Sequence, residues 1–295
     1  MPGKYINPYT DFGFKRIFGQ EANKDVLISF LNSLLPQRHQ IADLRFINTE
    51  QVPSRQELYS PILDVSCVSP SGERFIVEMQ RKRQELFVDR SVYYTACAIR
   101  DQVKRGQECY NLAAVYFVGI MDFVHALDGV APELVHEVSL KDRHGVEFYD
   151  KLRMYFVQMP LFAKSEGELE TPLDKWLFFL KNLPGLDQIP AVLNEPSFMR
   201  AFETAEFSAM SEAEQSAYHK AWDNLIVNRD IYDTAMKEGH AEGLAEGLAE
   251  GEAKGRAEGL AEANRDVARR MKALGMPAEQ IAGITGLTAG QIAGL

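Results

Sequence analysis

The strongest constraint on this chain is a pair of short apolar runs joined by a turn: Ile62-Leu-Asp-Val-Ser-Cys-Val68, then Ser-Pro-Ser-Gly, then Arg74-Phe-Ile-Val-Glu-Met-Gln80. Runs rich in β-branched and apolar residues, separated by turn formers, signal a hairpin with a loop longer than two residues. Side chains alternate across a strand, so Asp64 shares a face with Ile62 and Ser66, and Glu78 shares one with Ile76 and Gln80. A hairpin centred on Ser71 sets Asp64 opposite Glu78 and Ile62 opposite Gln80. Slipping the register by one residue would turn Glu78 to the other face.

Directly opposed residues have Cβ atoms about 4.5 to 5.5 Å apart, and like charges there destabilise a sheet. A divalent cation is the natural compensation. Mg²⁺ takes oxygen ligands, keeps several waters, and is held by one or two carboxylates plus phosphate oxygens, which this pair could offer.

Asp64 followed across the turn by Glu78-Met79-Gln80 is similar to the PD-(D/E)XK nuclease motif, in the variant with Gln in place of the motif's Lys. Other segments extend the likeness in the same order. Pro8-Tyr-Thr-Asp-Phe-Gly-Phe-Lys-Arg-Ile-Phe-Gly19, Ile28-Ser-Phe-Leu-Asn32, Asp89-Arg-Ser-Val-Tyr-Tyr94 and Leu173-Asp-Lys-Trp-Leu-Phe-Phe-Leu180 resemble the recombination-promoting nuclease (Rpn) and transposase family. The likeness spans residues 5–185. It implies an α/β fold, a restriction-endonuclease-like αβββαβ core with added strands and helices and a helical C-terminal tail. It also implies a Mg²⁺-dependent DNA endonuclease that promotes recombination, with Mn²⁺ or Ca²⁺ as alternative ions and DNA as partner. Asp64 and Glu78 would be the metal ligands, with the Met79 carbonyl as a further one, and Gln80 would orient the attacking water. Gln cannot carry the charge of the motif's Lys, so charge stabilisation must come from the metal or neighbouring cations.

The formal net charge of −10 opposes nonspecific binding to phosphates. Its distribution matters more than its sum. Residues 1–110 hold 15 Lys/Arg and 13 Asp/Glu, a balance of +2, whereas residues 111–236 hold 10 and 20, a balance of −10. Arg81, Lys82 and Arg83 directly follow Gln80. Arg81 and Lys82, with Lys15 and Arg90 from the family-like segments, are the candidate nucleic-acid contacts; solvated strand-end charge and structural ion pairing are the alternatives. Tyr93 and Tyr94 could stack on bases but suit a helix core. Asp11 reads as a cap for a helix beginning at Phe12.

No apolar run nears the roughly 18 to 20 residues of a membrane span; residues 112–121 have the length of a buried strand. The opening Met-Pro-Gly-Lys-Tyr lacks a signal peptide's apolar region, so a cytoplasmic location without membrane attachment is expected. Cys67, Cys97 and Cys109 lack metal-ligand spacing and read as reduced thiols. No Walker-type phosphate loop or H-E-x-x-H motif is present.

Periodicity predicts one or two helices over residues 12–35, a strand over 42–52, the hairpin, a helix over 87–104 and a fully buried strand over 112–120. Further strands are expected within 133–162, turning at His144-Gly145, then helices over 173–183 and 197–237. Four segments follow: a nuclease-like domain (1–185), a helical extension (186–237), a Gly/Ala/Glu repeat linker or coil (238–263), and a small helix-turn-helix-like module (264–295). In the repeat, Gly239, Gly243, Gly247, Gly251, Gly255 and Gly259 recur every four residues. Such a stripe drifts about 40° per repeat around a helix, and each interior Gly costs about 1 kcal/mol relative to Ala. The repeat is therefore a labile linker or a helix supported by a partner, the latter favouring a homo-oligomer built through the C-terminal segments. Beyond it, Pro277 suits a first helical turn and Thr288 a cap; the last piece has no cation, so packing suits it better than base reading. A noncatalytic nuclease fold serving as a DNA-binding or oligomeric assembly module is the competing reading.

Overall fold

The computed structural model describes residues 3–47, 64–103, 110–125 and 130–295. It divides into two compact units, residues 1–225 and 226–295.

The first unit opens with helices α1 (Asp11–Phe18) and α2 (Lys24–Leu34). Thr10, not Asp11, caps α1: its hydroxyl accepts the Gly13 N–H at 2.9 Å, and Asp11 is already helical. Strands β1 (Arg45–Phe46), β2 (Val65–Val68) and β3 (Arg74–Gln80) follow, then α3 (Phe87–Arg100), β4 (Val115–Met121), β5 (Val135–Lys141) and β6 (Glu147–Gln158). This contains the αβββαβ order expected, with its first helix doubled. Ile62, Lys104, Cys109 and the far half of the strand expected over 42–52 lie outside the described residues.

The strands form one sheet in the order β1-β2-β3-β4-β6-β5. The β2–β3 hairpin is antiparallel, pairing Val65 with Val77 and Val68 with Arg74, the register of a turn centred on Ser71. Turn chemistry pins that register. Ser69 and Glu73 close the loop through Ser69 N–H to the Glu73 carbonyl, and Gly72 takes φ +89°, which L side chains rarely adopt. The β3–β4 and β4–β6 pairs are parallel, and a β5–β6 hairpin finishes the edge.

Alternation along these strands divides two layers. Phe75, Val77, Tyr116, Val118, Tyr155 and Val157 face a large core shared with α1, α2 and the helices α4 (Pro172–Asn182) and α5 (Pro196–Ala205). Trp176 lies fully buried in it, its ring 4.3 Å from Phe198 and 5.6 Å from Phe179. On the other face Ile76, Phe117, Met121 and Phe156 pack with Phe87, Tyr94 and Ala98 of α3. Tyr94 is therefore core, while Tyr93 stays partly exposed. Cys67 and Cys97 are buried free thiols.

Helix α6 (Glu212–Ala273) begins in the first unit and continues through the second. The boundaries expected near residues 237 and 263 both fall inside it, and the glycine repeat is helical throughout. A Cβ built on any of its six glycines meets nothing within 4 Å. Helices α7 (Ala278–Thr285) and α8 (Ala289–Ala293) fold back so that Ile281 and Ile292 bury against Ala268. Thr288 caps α8 in a capping box with Gln291, and Pro277 stands at the cap of α7 rather than in its first turn.

Candidate active site

The hairpin register carries Asp64 and Glu78 to the same end of the sheet. Asp64 sits just ahead of β2, where its carboxylate Oδ2 accepts the Met79 N–H at 2.8 Å. Its own N–H donates to Glu78 Oε1 at 3.2 Å. The two acids are thus locked to each other through the backbone. Glu78 lies beside Gly119 across the parallel β3–β4 pair, and Gln80 lies beside Met121, so the site occupies the C-terminal edge of parallel strands. In open α/β sheets that edge is where ligands gather.

Glu78 is 7% exposed. Burial, then the charge of Asp64, pushes its carboxyl up to about 8, against the opposing effects of the Asp64 N–H, Arg90 and Lys15. Asp64 is also raised, first by burial, with the Met79 N–H pulling the other way, Asp11 adding to the rise, and Lys15 and Arg90 opposing it. Two partly desolvated carboxylates side by side disfavour joint ionisation. A cation between them would remove that penalty.

Among the described residues no group of three or more His, Cys, Asp or Glu side chains gathers as a metal site. The donor set at this edge is two carboxylates with adjacent backbone carbonyls. That set suits a hard divalent ion that keeps waters and takes up phosphate oxygens, and lacks the nitrogen and sulfur ligands typical of structural zinc. The residues present fit such an ion.

The predicted cations fall into different places. Lys15, on α1, pairs with Asp11 at 2.8 Å. Burial pulls its ammonium down, but Asp11, with Asp64 and Glu78 beyond, holds it above the ordinary lysine range. Arg81 stands 4.0 Å from Asp122. The Lys82 carbonyl accepts Gln80 Nε2 at 2.9 Å. Arg90 turns inward: Nη2 donates to Gln80 Oε1 at 2.8 Å and Nη1 to Gln84 Oε1 at 2.7 Å. The contact between Gln80 and Arg90 was not visible in sequence, since helical periodicity places Arg90 near the start of α3 without saying which strand end it reaches. Only the uncharged residue at position 80 hinted that a cation had to come from elsewhere.

A family model for the PD-(D/E)XK nuclease family transposase matches residues 8–229, well over half of the chain. The chain belongs to that family, and its α/β architecture is that of a PD-(D/E)XK nuclease-like fold. Nucleases of this superfamily generally use divalent metal ions. No curated protein and no solved structure matches the chain. No helix among the described residues is long and apolar enough to cross a membrane.

Proposed function

We propose that the protein is a Mg²⁺-dependent DNA endonuclease whose breaks promote recombination or transposition-like events in the cytoplasm. The observation that carries this reading is the meeting of Asp64 and Glu78 through the Asp64 N–H and the Met79 N–H. Asp64, Glu78 and the Met79 carbonyl would hold the ion, which when bound supplies Lewis acidity and charge neutralisation at the phosphate. Mn²⁺ or Ca²⁺ could occupy the same oxygen ligands.

The chain's own residues do the rest. Gln80, fixed in its rotamer, orients a water toward phosphorus, while Lys15, Arg81 and Lys82 flank the path of the backbone. One water is consumed per cleaved bond: its oxygen joins phosphorus, the ester bond to a sugar oxygen breaks, and that oxygen leaves with a proton. Purified full-length protein on supercoiled plasmid with Mg²⁺ should nick it. EDTA, Asp64→Ala and Glu78→Ala should each abolish nicking, and equal nicking by all four samples would overturn the proposal.

A second reading, a nuclease fold retained for binding or assembly, draws on Gln80, whose amide is tied at both ends to Arg90 and Lys82. In that case plasmid would be bound without being cut. Either reading accommodates a homo-oligomer formed through residues 238–295, where Leu244, Leu248 and Leu260 are exposed.

A further inference from the structure

The motif's usual lysine would place one cation beside the scissile phosphate, and Gln80 cannot. A replacement that touches Gln80 itself comes from α3. Arg90 is held by two neutral amides, those of Gln80 and Gln84, and its guanidinium lies 5.8 Å from the centre of the Phe87 ring. Its Nε is shielded from solvent and has no hydrogen-bond partner. Among the described residues it forms no salt bridge, unlike Arg16, Arg153 and Arg200 elsewhere in the same unit. Arg90 is half-buried, and a purely structural arginine there would ordinarily be paired with an acid, because a partly desolvated charge without a counterion is costly. Here the positive charge has no counterion, at the edge where buried Glu78 and half-buried Asp64, both within its electrostatic influence, also converge.

We propose that Arg90 and Gln80 together replace the single lysine of the motif. Arg90 is a positioning residue that fixes the Gln80 amide and lends the site its missing positive charge; Gln80 supplies the reach to the attacking water. The proposal rests on the nuclease reading and specifies how that site works without a lysine. Hydrogen bonding of a charged donor to an amide oxygen polarises the amide, so its N–H group becomes a better donor. Guanidinium and amide thus divide between two residues what one ammonium does alone.

The test uses full-length protein and two readouts, plasmid nicking and binding of Mn²⁺ alone by titration calorimetry. Arg90→Gln should lower nicking by about 10²-fold, the usual cost of deleting one transition-state-stabilising donor. The same change should tighten Mn²⁺ binding several-fold, because a positive charge near two carboxylates is gone. Arg90→Lys should keep most of the activity. Gln80→Lys should be active by itself and should restore much of the rate in the Arg90→Gln background, which also serves if Arg90→Gln alone folds poorly. Nicking and Mn²⁺ affinity falling together, with no rescue by Gln80→Lys, would make Arg90 structural and overturn the inference. So would wild-type nicking by Arg90→Gln when Asp64→Ala is inactive, which leaves the nuclease reading standing. Nicking that survives Asp64→Ala defeats that reading and this one with it.

Discussion

Gly13 and Gly247 are the same residue in two different physical situations. In the first unit, a Cβ on Gly13 would lie 2.2 Å from the Asn7 carbonyl oxygen and 2.7 Å from Thr10 Oγ1, so the absence of a side chain is what lets the α1 cap close. In the second, a Cβ on Gly247 meets open space. Residues 1–225 are decided by packing, with aromatic rings interlocked on one face of the sheet and α3 sealing the other. In residues 226–295 burial is confined to a few positions such as Ala268, Ile281 and Ile292, and local propensity decides the rest. The contrast explains how one chain can hold a tightly packed candidate site in one unit and a low-complexity helix in the other.

The largest test of the contrast is Trp176→Ala. Removing a fully buried indole that packs on Phe18, Phe30, Phe179 and Phe198 should cost about 3–5 kcal/mol in denaturant unfolding of the first unit. Tolerance of that change would dissolve the distinction. Gly13→Ala should cost about 2 kcal/mol, because backbone rather than a flexible side chain must move. Thermal melts would detect it.

Asp174→Ala should cost about 1.5 kcal/mol, since it removes a capping box at α4. Asp174 also carries a pH signature. Burial raises its carboxyl, but Lys164 and the Thr171 and Glu170 N–H groups outweigh that and hold it below its ordinary value of 3.8. Its folded pKa being depressed, its stabilisation is complete above the unfolded value and is lost as pH falls through the folded one. The stability gap between wild type and Asp174→Asn should therefore close in acid, and a gap that widened there would refute the assignment. The smallest effect has the opposite sign: Gly247→Ala should stabilise its helix by about 1 kcal/mol, read as increased helicity by circular dichroism, with the melting of the first unit unchanged.

Legibility in the sequence followed the same division. Strand β3 was readable to the residue, because alternation, a Ser/Pro/Gly turn and a single favourable register all agree. The α4 helix was readable from its apolar stripe to within one residue at each end. The parallel pairing of β3 with β4, which places Gln80 beside Met121, is nonlocal and leaves no trace in nearby residues. Competing caps misled at α1, where Thr10 and Asp11 are adjacent and both residue types suit the position. In the glycine repeat, intrinsic cost kept a linker open beside a partner-supported helix, and continuity with flanking Ala and Glu carries the helix through.

The hairpin has one further consequence, for the order in which the molecule assembles. It is a local structure that could close early, yet closing it brings two acids together before Lys15 and Arg90, from more distant segments, are in place. Early closure is electrostatically opposed in its deprotonated form. The β2–β3 ribbon should therefore mature late, after α1 and α3 have docked, and acid or a divalent ion should hasten that step. The same paired carboxylates proposed to hold an ion in the finished protein would thus act as a brake while the protein is being made.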